Sequence, residues 1–335
     1  MTHAGTRLKL AVYLAGLCGL AVLTALVIGS DVPALIQTAL RGGWQLFWLV
    51  PYRTVFFLLY ALGWWVLLRP YDATRRAGVG YLLWVTTVRE AIDRLLPVAS
   101  VGGAVAGVRL LGWRGIPAGP ASATVIVEIL LTLIASWLFA VLGVALLTNV
   151  NAASSDYHRV IFVLLLSLPV PVALAAMLRS GKLFGGIRRW ITRITGIEAV
   201  PAGAIALDNA LGASLRRSGA LLSAAGLQFA ALCSGSFENW FALRLFAHPI
   251  SLGDALMLES MVQAFRHLAF VVPASLGVQE TVLVIFGHSL GIGAEMAIAV
   301  SLVKRLRETL YGIASLASWQ WMEGRRLRAP AEYPS

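Results

Sequence analysis

Charge is what this sequence has least of. Only 13% of its 335 residues are Asp, Glu, Lys or Arg, about half the share of a typical soluble domain. Acids are the scarcer sign, at 16 against 27 basic residues. Cysteine is almost absent. Cys18 and Cys233 both lie inside apolar stretches, which excludes a disulfide framework and the paired spacing of a zinc site. No nucleophile motif, phosphate-loop glycine pattern or metal-ligand spacing is present. The sequence therefore calls for no catalytic residue, no metal and no cofactor, and the chain reads as a non-enzyme.

Hydrophobic residues make up 59% of the chain, and they come in continuous runs. A helix needs about 20 apolar residues to cross ~30 Å of hydrocarbon. Barrel strands would alternate instead. The net charge of +11 would suggest nucleic acid in a soluble protein. Here the basic residues sit at the ends of apolar runs, where they orient spans and meet anionic headgroups. The expected partner is a membrane lipid, not nucleic acid.

The expected fold is an all-α polytopic membrane protein with about six full transmembrane helices plus two proline-broken re-entrant segments, a plan that fits an inverted repeat. The full spans are Leu8–Ile28, Trp44–Leu68, Ala121–Val150, Val160–Leu178, Ala220–Phe246 and Ala294–Trp321. The first follows Arg7 and Lys9 but exceeds a signal-peptide core in length, so it reads as a retained helix. Between spans four and five, Leu183, Phe184, Ile187, Trp190, Ile191 and Ile194 recur at helical spacing, with Arg188, Arg189 and Arg193 opposite. This patterns Lys182–Ile197 as a surface helix, a topology anchor or a docking face for a lipid-biosynthesis enzyme. The strongest basic clusters lie before span one, after span two, between spans four and five, and at the C-terminus. An even number of crossings puts all four, and both termini, on the cytoplasmic side of a bacterial inner membrane. The first interrupted segment then dips in from the cytoplasm and the second from outside.

Those two segments resemble each other. One reads Arg94-Leu-Leu-Pro97-Val-Ala-Ser-Val-Gly102-Gly103, the other Phe270-Val-Val-Pro273-Ala-Ser-Leu-Gly277-Val-Gln-Glu280. In each, an apolar pair precedes a proline, and Ala-Ser-apolar-Gly follows. Proline removes a backbone donor and clashes with the preceding turn, and glycine permits the turn after it. Broken backbone at membrane depth is tolerated only where protein or water satisfies it, and transporters place substrate sites at paired breaks of this kind. The half-helices starting near Gly102 and Gly277 would aim free N–H groups at a phosphate or carboxylate. The same features also fit a packing kink.

An ionisable residue at the bilayer centre costs at least about 2.5 kcal/mol on insertion scales. The spacing lets Arg89 meet Asp93, Glu90 meet Arg94, and Lys304 meet Glu308. Glu259, Gln263 and Arg266 share a face beside His267. Arg305 is then left for Glu280 or a ligand, and Arg307 points elsewhere, towards the surface. Arg109 follows the first break. The substrate-binding set is thus Arg89, Glu90, Arg94, Pro97, Gly102, Gly103, Arg109, Glu259, Arg266, Pro273, Gly277, Glu280, Lys304, Arg305 and Glu308. A purely structural ion-pair network is the competing reading. Glu128 and Glu238 are acids inside spans, placed either to carry protons or to sit near an interface.

Pro273-Ala-Ser-Leu-Gly277-Val-Gln-Glu280 with Ala297 to Arg305, and Leu95-Leu-Pro97 through Gly102-Gly103 to Arg109, resemble the lysylphosphatidylglycerol synthase transmembrane-region family. That is the flippase-like module of lysyl-lipid synthase/flippases and of many stand-alone proteins. Ser301-Leu-Val-Lys304-Arg305-Leu-Arg307-Glu308 and Ser318-Trp319-Gln320 resemble its hopanoid-biosynthesis branch. The resemblance implies one integral-membrane domain over 1–335 that moves a lipid: a hopanoid, or an anionic or aminoacylated phospholipid. No soluble catalytic domain follows the last helix in this sequence, so aminoacyl transfer is not expected. A non-transporting partner of a lipid-synthesis complex is the alternative.

Overall fold

The computed structural model describes residues 42–95, 102–150, 202–269 and 275–328, with isolated positions 173, 176 and 272. The expected span Leu8–Ile28, the span Val160–Leu178 apart from positions 173 and 176, the surface helix Lys182–Ile197, and both prolines of the breaks, Pro97 and Pro273, lie outside the described residues.

Everything regular within them is helical. The helices are α1 (Leu49–Leu68), α2 (Val79–Leu95), α3 (Gly102–Gly112), α4 (Ala118–Val150), α5 (Ala202–Leu215), α6 (Ser218–Leu245), α7 (Leu252–Leu268), α8 (Val278–His288) and α9 (Ala294–Arg328), and 3-10 turns flank α1. Three stretches among the described residues are long and apolar enough to cross a membrane: Trp44–Tyr71, Ala118–Leu147 and Ser218–Leu245. These hold spans two, three and five of the sequence reading. Helix α9 has the length, but the charges at its middle keep it out of that class.

Local chemistry sets the ends. Pro51 and Pro120 fall in the first turns of α1 and α4, where the missing N–H has no intrahelical partner to lose. Ser251 and Asp254 form a capping box at the start of α7, satisfying orphan donors reciprocally. Helix α8 opens on Gly277 at φ 76°, with Ser275 also left-handed at φ 49°. A non-glycine residue in that region marks a sharp, tightly determined turn.

Helices α2 and α3 form an antiparallel hairpin. Near its open end the Tyr81 hydroxyl donates to the Leu110 carbonyl at 2.6 Å, and at its tip Gly103 meets Asp93. Helices α7 and α8 form a second hairpin, with Arg266 and Gln279 joined at the tip. The two open towards opposite ends of the molecule, and α9 runs past both. Ser301 reaches α8, Glu308 reaches the tip of α7, and Gly312 lies against Leu95 at the tip of α2. Ser318 reaches Trp84, in the first half of α2. Helix α6 packs on α1, while α4 packs on α5, α6 and α7. Buried cores of aliphatic and aromatic residues fill the seams of each hairpin with the spanning helices.

Candidate functional site

The site is built along one face of α9. Ser301, Lys304, Glu308, Tyr311 and Ser315 recur every three or four residues and so share a stripe. Lys304 is 2% exposed. Its ammonium donates to Glu259 Oε2 at 2.5 Å and to Asn239 Oδ1 at 3.1 Å. Glu259 also accepts from Asn239 Nδ2 and Gln263 Nε2. Such a pair offsets its desolvation only when further hydrogen bonds satisfy its lone pairs and protons, and Asn239 and Gln263 supply them here.

The next residue, Arg305, grips Glu280 with two bonds, Nε to Oε1 at 2.6 Å and Nη2 to Oε2 at 3.1 Å. Two parallel bonds of this kind fix orientation as well as charge. Arg305 Nη2 also donates to the Ser275 carbonyl at 3.1 Å, which satisfies the broken backbone beside Gly277. Behind it runs a directed chain. Arg266 donates to Gln279 Oε1, Gln279 Nε2 to Ser301 Oγ, and Ser301 Oγ to Glu280 Oε1.

The hairpin tips meet at Glu308. Arg266 approaches its Oε1 at 3.4 Å, and Arg307 does so at the same distance. Arg94 and Arg53 also lie within its field. Arg307 pairs with Glu238, and Arg53 stands 3.5 Å from the same acid. Glu90 holds Arg94 at 2.9 Å. Between these groups is a narrow cavity of about 20 Å³, room for roughly one water molecule, walled by Arg53, Glu90, Arg94, Arg307 and Glu308, with Phe57, Thr87 and Tyr311 among its other lining residues.

Of the expected pairs, Glu90–Arg94 and Arg305–Glu280 form, and Glu259 joins Gln263. Others are replaced. Arg89 does not pair with Asp93. It reaches Glu128 on α4 at 2.5 Å, with its guanidinium over the Trp64 ring. Asp93 instead accepts from the Gly103 backbone N–H at 2.9 Å, because Gly103 has no Cβ to hold it off. The chain's own carboxylate thus occupies the α3 N-terminus that was expected to meet a ligand. Lys304 turns to Glu259 and not to Glu308, and Arg307, expected towards the surface, is 3% exposed. A four-residue spacing permits a helical pair, but a carboxylate on a neighbouring helix was closer in both cases.

Glu128 and Glu238 are both held by arginine, the first by Arg89 and the second by Arg307 and Arg53. Arg109 stands apart: it pairs with Glu323 at the open end of the first hairpin, and its side chain is more than half exposed. Gly102 and Gly103 open α3, and Gly277 caps α8.

Sequence reasoning missed Arg53, Asn239 and Gln279. Arg53 carried a signal, being a lone charge inside an apolar span. Asn239 and Gln279 carried none beyond adjacency to Glu238 and Glu280. Among the described residues no three His, Cys, Asp or Glu side chains gather to hold a metal.

The arrangement gathers cations and carboxylates around one narrow space where the two hairpin tips meet. No curated protein and no solved structure matches the chain. The family model of the lysylphosphatidylglycerol synthase TM region matches residues 8–315. With that match over most of its length, the chain belongs to the lysylphosphatidylglycerol synthase transmembrane-region family and is a membrane protein of lipid metabolism.

Proposed function

We propose that the protein is a lipid transporter of the flippase kind, not an enzyme, and that the cavity between Glu90, Arg94, Arg307 and Glu308 receives the polar head of the lipid. The supporting observation is that this cavity lies where the tips of two oppositely opening hairpins meet. Half-length hairpins from each side leave the shortest polar path between the two surfaces, and broken helices near the midplane are where transporters bind their cargo. The pairs around the cavity are uneven in closeness: Glu90–Arg94 is tight, whereas Arg53–Glu238 and Arg266–Glu308 are stretched. A headgroup carrying charge or hydroxyls competes most readily for the stretched ones.

In this reading the α2–α3 and α7–α8 hairpins are re-entrant and form the two halves of an inverted repeat. The protein sits in a bacterial inner membrane with both termini cytoplasmic. Its cargo is a hopanoid or an anionic or aminoacylated phospholipid, the classes that the sequence resemblance implies.

Reconstitution in vesicles tests this. Movement of a labelled lipid between leaflets is expected with the wild type. Glu308→Gln and Arg94→Gln are expected to slow it about tenfold, equivalent to roughly 1.4 kcal/mol in the barrier. Wild-type rates in both variants would remove the cavity from the pathway. No movement, together with stable co-purification with a lipid-synthesis enzyme, would instead assign the protein a non-transporting role in a complex.

A further inference from the structure

On the outer side of the α1–α6 seam lies a second, larger space. Its volume is about 310 Å³, and Trp48, Leu49, Pro51, Tyr52, Phe237 and Phe241 line it. That is at the lower edge of the range of pockets that hold small molecules. The lining is apolar by construction. The single hydroxyl among these side chains, that of Tyr52, donates to the Ser234 carbonyl at 3.0 Å. The aromatic wall is braced: Tyr52 and Phe237 have ring centroids 4.7 Å apart, and Phe237 stacks on Phe241 at 5.9 Å.

Helices α1 and α6 both belong to stretches long and apolar enough to cross the membrane. The groove therefore opens at bilayer depth, where hydrocarbon is the surrounding solvent. Its position relative to the polar cavity is specific. Tyr52 and Phe237 line the groove, and the next residues along each helix, Arg53 and Glu238, form the stretched ion pair at the cavity's edge. One seam thus has an aromatic outer face and a charged inner face.

We infer that this groove is a specific binding site for a hydrocarbon chain of a membrane lipid, and that Arg53–Glu238 is the gate between that chain and its headgroup in the polar cavity. The second clause rests on the transporter reading; the first does not. A lipid held this way keeps its tail on rigid aromatic faces while its head exchanges ion pairs. Glu238 stays paired with Arg307, so the gate opens by the swing of Arg53 away from Glu238, with no movement of α1 against α6.

The test uses the full chain in nanodiscs containing a phosphatidylglycerol with a diazirine in one acyl chain. After photolysis, mass spectrometry is expected to find label on peptides containing residues 48–52 and 237–241, saturating as the probe fraction rises. Pro51→Trp, which places an indole into the groove from an exposed position, is expected to reduce that labelling about tenfold. Leu138→Trp, on the exposed side of α4, is expected to leave it unchanged. Labelling that rises linearly with probe, as for passing annular lipid, would overturn the inference. So would no labelling at all, the result if another segment of the chain or a second copy covers the groove. Saturable groove labelling in a protein that moves no lipid would keep the site and overturn the transporter reading. Lipid movement that Pro51→Trp leaves at the wild-type rate, with unsaturable labelling, would do the reverse.

Discussion

Single residues in this protein are held by partners on other helices more than by neighbours on their own. Lys304 is the clearest case. Its ammonium is wholly enclosed by Glu259 and Asn239, so Lys304→Met leaves a buried carboxylate with only amide donors. Removing one partner of a buried pair costs about 3–5 kcal/mol, and thermal unfolding in detergent is expected to show a large loss. Adding Glu259→Gln removes the uncompensated charge, and the double variant is expected to recover much of the stability. A double variant no more stable than Lys304→Met alone would show that the ion pair is not what Lys304 contributes. The same tertiary preference explains what was legible beforehand. That Lys304, Glu259, Arg305 and Glu280 belong to one polar site follows from charge inside apolar helices. Which acid each cation takes does not, because a four-residue spacing states only that two side chains can meet. Arg53 could have been read from its lone position in an apolar span, whereas Asn239 and Gln279 acquire their roles only when α6 and α8 come beside α9.

At the scale of helices, the breaks were legible because proline and glycine act on their own backbone. The start of α3 at Gly102 and the cap of α8 at Gly277 stand where the sequence placed them. What packs against each element was not legible, because it depends on surface shape. Gly143 shows this. A Cβ built there would lie 1.6 Å from Ser260 Oγ and 2.6 Å from Ser260 Cβ, so α4 and α7 touch almost backbone to side chain. Small residues let helices in a membrane approach this closely. Gly143→Ala must push α7 away, and overpacking of this kind costs about 1–3 kcal/mol. The unfolding temperature is expected to fall, and Ser260→Gly in the same chain is expected to restore part of it by vacating the contact. If the second change lowers stability further, the close approach is not the source of the loss.

The whole molecule has two unlike ends. At one, Arg69, Arg75, Arg76, Arg114, Arg216, Arg217, Arg325 and Arg326 gather around helix ends and turns. Arg114 lies over the Tyr81 ring and Arg326 over Trp113, Arg76 lies against Gly115, and Tyr71 ties the turn after α1 to α5. At the other end, among the described residues, are Asp254 and Glu295 with His248 and His288, and Arg244 lies over the Trp240 ring. Basic residues are retained on the cytoplasmic side of spanning helices, so the arginine end is expected to face the cytoplasm. The α2–α3 hairpin and the C-terminal end of α9 then open on that side, and the α7–α8 hairpin opens on the other. In a chain with Cys18 and Cys233 replaced by serine, a membrane-impermeant maleimide applied to intact spheroplasts is expected to label His288→Cys. Ala73→Cys, in the turn after α1, is expected to react only after permeabilisation. The reverse pattern would place the arginine end outside. Labelling of both positions in intact cells would mean that the charge difference does not orient the chain, and the assignment of each hairpin to a leaflet would fall with it.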